Sequence, residues 1–146
     1  MKRFVGCADM RGIVLHLGVG ERIVESIELA CRESGIRDAA VISAIGSARR
    51  MCFHRIESTA DEPVNTFITI EDACEIGSIQ GLILNGEAHL HVSFSDRNHA
   101  YNGHLEPGSE VQYLLEVALV ELRGLPLKRT TDQYGVNIIT ERQGEE

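Results

Sequence analysis

Asn85-Gly86 constrains the fold more than any other pair of residues in the chain. Asn and Gly both tolerate positive φ, which a two-residue type I′ turn requires. The runs on either side, 76–84 and 87–95, are therefore predicted to form a tight antiparallel hairpin. In the second run Ala88, Leu90, Val92 and Phe94 alternate with His89, His91, Ser93 and Ser95. A period of two is that of a half-buried strand, with the apolar set on a core and the histidines together on the other face. The turn sets the register, and register decides which face carries His89 and His91. Downstream, Asp96, Asn98, Asn102 and Gly103 end the strand and turn the chain, so that His104 can return beside the first two imidazoles.

The remaining pattern is mostly β. Residues 11–17 read as a first strand, with Ile13, Leu15 and Leu17 on one face and Val14 and His16 on the other. After the Gly18 and Gly20 turn, Ile23, Val24, Ile27, Ala30 and Cys31 make a helical stripe that Gly35 ends. Residues 39–45 are a near-continuous apolar run, read as a strand buried on both faces. Gly46-Ser47 interrupts it as a bulge, and 48–56 continue as a strand. In that continuation His54 shares a face with Cys52 and Ile56 and is read as structural. Residues 57–63 are an acidic surface loop, and 64–71 form another strand. The run at 111–123 is long and apolar apart from Glu116, Glu121 and its ends, which suits a subunit interface better than an exposed edge. LKRTT and VNIIT close the chain as short strands around 132–135. The expected fold is α+β: one compact domain over 1–146, mostly antiparallel sheet with one main helix near the N-terminus. Its core covers about 11–140 and its acidic tail 141–146.

The formal net charge of -8 argues against a sequence-independent grip on phosphate backbones, which needs clustered Lys and Arg. The longest basic runs are pairs: Lys2-Arg3, Arg49-Arg50 and Lys128-Arg129. Cys7, Cys31, Cys52 and Cys74 form no CxxC and read as reduced, structural thiols of a cytoplasmic protein. The apolar stretch at the N-terminus is too short for a signal peptide, and no run reaches membrane-spanning length.

Two imidazoles on one strand face and a third returned by a turn offer a three-nitrogen site: His89, His91 and His104. Zinc or a similar divalent ion favours such a set, with a fourth position left for water or substrate. The competing reading is a polar strand face whose histidines bind nothing. Glu116 and Glu87 are the candidate bases if the site is catalytic. Glu116 could instead receive a hydrogen bond from a metal-bound histidine, or pair with an arginine at a subunit contact. No GxGxxG, P-loop or GxSxG motif is present.

The motifs GVGERIVESIELACRESGI (18–36), AAVISAIGSARR (39–50), HLHVSFSD (89–96) and GHLEPGSEVQYLLEVALVEL (103–122) occur in the order of a known family. Together they resemble the PPC (plants and prokaryotes conserved) domain, of the stand-alone prokaryotic type, over roughly residues 11–130. The resemblance implies a compact α+β domain assembling as a homotrimer, and it maps the three histidines of the late block, a metal site in prokaryotic members, onto His89, His91 and His104. The family is often labelled DNA-binding. That label comes from plant members with a separate AT-hook, an Arg-Gly-Arg-Pro segment absent here. Asn102 replaces the first glycine of the doubled glycine before the last histidine. Three functions follow as expectations: a metal-dependent regulatory or ligand-binding module, a zinc hydrolase with a glutamate base, or a trimeric scaffold without metal. A small-molecule ligand is the expected partner beyond the chain itself; DNA is disfavoured by charge, and no membrane is involved.

Overall fold

The computed structural model describes residues 11–142, so Cys7 and most of the tail lie outside the described residues. The elements in chain order are β1 (Gly12–Leu17), α1 (Ile23–Glu33), β2 (Ala39–Ile56), β3 (Asn65–Ile70), β4 (Cys74–Leu84), β5 (Glu87–Ser95), β6 (Ala100–Leu105), β7 (Glu110–Glu121), β8 (Leu127–Thr131) and β9 (Asn137–Glu141). The fold is thus mostly antiparallel sheet with one helix. No helix among the described residues is long and apolar enough to cross a membrane.

Strand order in the main sheet is β1-β7-β2-β4-β5-β6, and β3 pairs with β2. The Asn85-Gly86 turn forms as expected, with φ of 53° and 81°, and β4 and β5 pair from Leu84↔Glu87 to Glu75↔Ser95. β2 is one continuous strand of 18 residues, irregular at Gly46 where a bulge is expected. Its first half pairs β4 and β7, and register shifts near Val41, Gly46 and Ala48 bend it. Its second half reaches β6 through Phe53↔Leu105 and His54↔His104. Strands β2, β4, β5 and β6 therefore close a ring. A Cβ at Gly46 would collide with the Leu114 carbonyl, which is why the bend falls on a glycine.

The ring's interior holds Met51, Phe53, Ile76, Ile79, Leu90, Val92, Phe94 and Leu105. Phe53 meets Phe94 edge-on at 5.2 Å between ring centroids. Helix α1 covers the sheet with the predicted stripe, burying Ile23, Val24, Ile27 and Cys31. At its end Gly35 takes φ 68° and the Ile36 amide donates to the Cys31 carbonyl.

Two burial expectations need correction. Residues 39–45 alternate, with Ala39, Val41 and Ala44 inside but Ile42 and Ile45 exposed at 63% and 51%. Glu116 is also exposed rather than enclosed, because it shares the outer face with its neighbours Ile45 and His16. The apolar run of β7 thus has one core face and one open face.

The β8–β9 hairpin stands apart as a second sheet. It is tied down at two points. Arg129 donates to the carbonyls of Leu82 and Glu87, at 3.1 and 3.0 Å. The Arg142 guanidinium holds the buried Asp38 carboxylate at 2.6 and 3.0 Å.

Candidate metal centre

The sheet register assembles the site. His91 faces His104 across β5 and β6, and His104 faces His54 across β6 and β2. Phe67 of β3 faces His54 on its other side. A transverse row, Phe67–His54–His104–His91, therefore crosses four strands on one face. His89, two residues before His91, joins that face by the period of two.

Ring positions make the cluster compact. His104 lies edge-on to His89 and His91, with centroids 4.7 and 5.5 Å away. His89 and His91 are 5.5 Å apart. His54 stacks on His104 at 4.5 Å, with planes inclined by only 16°. All four imidazoles line a cavity of about 560 Å³ that is also walled by Ile56, Asn102 and, from the β8–β9 hairpin, Val136 and Asn137. The three histidines named from the sequence are thus brought together.

Two further residues belong to the cluster. His54, read as structural from its neighbours Cys52 and Ile56, lies on the cavity face; Met51 and Phe53 occupy the core. The period of two could have placed His54 on the face opposite Met51 and Phe53, though not beside His104. Glu106 carries the second addition. Its Oε1 lies 2.5 Å from His54 Nδ1 and 3.2 Å from His104 Nδ1. The first contact is a hydrogen bond. The second lacks hydrogen-bond alignment, and the buried His104 Nδ1 has no hydrogen-bond partner. Among the described residues, His54, His104 and Glu106 form the group whose candidate ligand atoms all fall within 4.8 Å of one another.

Glu106 is held firmly. Its amide donates to the Cys52 carbonyl at 2.8 Å, and its carbonyl accepts from Ser109 Oγ at 3.2 Å. Ser109, fully buried, also accepts from the Cys52 amide at 2.9 Å. Gly103 lets β6 approach: a Cβ there would lie 2.5 Å from the His54 carbonyl oxygen. The substituted position, Asn102, accepts from the Ser93 hydroxyl at 2.5 Å.

The candidate bases are placed differently. Glu87 is exposed at the start of β5. Glu116 pairs with Ile45, nine residues from His54 along β2, or about 30 Å at ~3.3 Å per residue. Neither lines the cavity. His16, opposite Glu116, is equally remote from the cluster.

The electrostatics favour neutral imidazoles. Burial, reinforced by the neighbouring His104 and Arg129, lowers the His89 pKa to about 4. Burial also lowers that of His104, against the opposing pull of Glu106. A ring that resists protonation is available as a nitrogen donor. The His54–His104–Glu106 group, whose ligand atoms lie within 4.8 Å of one another, and the adjoining cavity that His89 and His91 line are where a divalent ion would fit. Cys31, Cys52 and Cys74 are free thiols that do not line the cavity; burial pushes Cys74 up to about 11.

The comparisons with known proteins agree with this fold. A metal-containing protein of Archaeoglobus fulgidus has the same fold at TM-score 0.77, with 28% identity over 97% of this chain and 100% of its own. A plant- and prokaryote-conserved (PPC) protein of Pyrococcus horikoshii matches at TM-score 0.76, with 22% identity, covering 97% of this chain and 99% of its own. A candidate DNA-binding protein of Bacteroides thetaiotaomicron matches at TM-score 0.73, with 21% identity, covering 88% of this chain and 91% of its own. By sequence, 108 residues are 25% identical to a bifunctional protein GlmU of Synechococcus, covering 73% of this chain but only 16% of that much longer relative. The family model of the Plants and Prokaryotes Conserved (PCC) domain matches residues 5–123, and the chain belongs to that family.

Proposed function

We propose that this chain is a metal-binding module in which His89, His91 and His104 hold a divalent ion, zinc by the chemistry of its donors. The supporting observation is the convergence of three imidazoles, 4.7–5.5 Å between centroids, on the wall of one cavity. The metal-containing relative from Archaeoglobus fulgidus is in keeping with this reading. The cavity beside the rings suits a small-molecule ligand that completes the coordination. The module works as a homotrimer: Val14, Ile45 and Leu114, with the bulged Ile42, leave an apolar sheet face uncovered in the single chain. Free thiols suit a reducing, cytoplasmic setting.

The open cavity also favours a second reading, a hydrolase. A zinc ion with a vacant position lowers the pKa of its bound water to about 7. In that case Glu106 and His54, rather than Glu87 or Glu116, stand near the site.

The test is metal content per chain by elemental analysis, for the wild type and for the His89→Ala/His91→Ala double variant. Near-stoichiometric zinc in the wild type and none in a still-folded variant is expected. Equal metal in both would sink the assignment.

A further inference from the structure

We propose that Glu106 is the positioning carboxylate of the metal centre: it takes up the Nδ1 side of His104, so that the ion is bound through Nε2. This rests on the metal reading above. As placed, Glu106 is set as a hydrogen-bond partner of His54 rather than as a ligand beside it. Two donors at 2.0–2.1 Å on a tetrahedral ion lie about 3.3 Å apart. Glu106 Oε1 and His54 Nδ1 are 2.5 Å apart, a hydrogen-bond distance.

Three observations point to His104 as the ring that Glu106 serves. Its Nδ1 is buried without a hydrogen-bond partner, and Glu106 Oε1 lies 3.2 Å away. The stacked His54 ring covers one face of the imidazole and opposes its rotation. The carboxylate is fixed in turn, because Ser109 and the Cys52 backbone hold both sides of the Glu106 main chain. With Nδ1 turned to Glu106, Nε2 is the nitrogen left for an ion. Carboxylate partners of this kind set the tautomer of a ligating histidine and raise its basicity, and their loss costs ~10–100-fold in metal affinity. Glu116 and Glu87 cannot take the role from their positions outside the cavity.

The experiment has two readouts on the wild type, Glu106→Ala and Glu106→Gln. The first is the imidazole nitrogen NMR spectrum of the metal-free protein near neutral pH. His104 is expected as the Nδ1–H tautomer in the wild type, with that preference lost in Glu106→Ala. The second is zinc affinity by chelator competition, with the absorption spectrum of the cobalt(II) form. Glu106→Ala is expected to bind ~10–100-fold more weakly with an altered cobalt spectrum. Glu106→Gln, which keeps an acceptor oxygen and the side-chain volume, is expected between the two; it carries the test if the alanine variant fails to fold. Wild-type tautomer and affinity in the variants would overturn the positioning role while leaving the three-histidine site intact. A wild type that takes no zinc, yet shows the Glu106-dependent tautomer, would overturn the metal reading and the role of Nε2 while retaining the His104–Glu106 pair.

Discussion

His54 and His104 face each other across the β2–β6 ladder with their rings stacked 4.5 Å apart. That pairing joins the second half of β2 to the strand carrying the third histidine, and it brings Glu106 within reach of both rings. Directly opposed aromatic side chains stabilise a strand pair by a few tenths of a kcal/mol to ~1 kcal/mol. Here the pair also closes the β2–β4–β5–β6 ring at the wall of the cavity.

Protonation of His89 ought to destabilise the metal-free protein. The fold lowers its pKa to about 4, chiefly by burial, while the unfolded chain titrates near 6.5. Between those values the unfolded state binds more protons, so stability falls as pH drops through that window and this contribution is constant above it. Urea unfolding midpoints at about pH 7.5 and pH 5 should differ in the wild type and differ less in His89→Gln. The same difference in both proteins would assign the effect to other groups.

Gly103→Ala should damage both fold and site. The new methyl would stand 2.5 Å from the His54 carbonyl oxygen and 2.7 Å from the Phe53 ring, where neither backbone nor core yields cheaply. We expect a loss of ~1–3 kcal/mol in chemical denaturation together with weakened zinc binding. Wild-type values for both would mean that β6 moves freely relative to β2.

Arg142→Met should loosen the β8–β9 hairpin. Its guanidinium is bound to Asp38, and the side chains are 11% and 8% exposed. Removing one partner of a buried pair leaves an uncompensated charge, at a cost of ~3 kcal/mol or more. Faster amide exchange in 127–141, detected by mass spectrometry, should accompany that loss.

Ile45→Arg combined with Ile42→Arg should leave the fold intact and abolish the trimer. Both side chains are exposed in the single chain, so a charge there is tolerated by the monomer and not by an apolar contact. Light scattering should give three times the chain mass for the wild type and one for the variant. A monomeric wild type would refute the assembly.

Duplex DNA should bind weakly near physiological salt, because a net charge of -8 opposes the phosphate backbone. Fluorescence anisotropy with a random and a defined duplex tests this. Tight, sequence-selective binding by the purified chain would reverse it.

Short-range signals made most elements legible. Asn85-Gly86 gave the hairpin, and the stripe Ile23, Val24, Ile27 and Cys31 gave the helix face. The three late histidines were also readable, since a period of two and one turn suffice to gather them. The bulge of β2 at Gly46 was readable too, but its cause, the close approach of Leu114, was not. His54 and Glu106 were missed for a related reason. Their nearness to His104 depends on β2 meeting β6, a pairing between residues 50 positions apart (54 to 104) with no local signature. Glu116 misled because a lone carboxylate in an apolar run looks enclosed, whereas β7 turns that face outward.

The transverse histidine row has a consequence for how the molecule is made. Slipping β5 or β6 by one residue would turn its rings to the opposite side of the sheet. The row exists only when distant parts of the chain have paired in one alignment. An ion captured there would therefore fasten β5 to β6 as a cross-link does, favouring the native state by mass action. Metal uptake during refolding would then be a late event, and a report that the last strands have found their places.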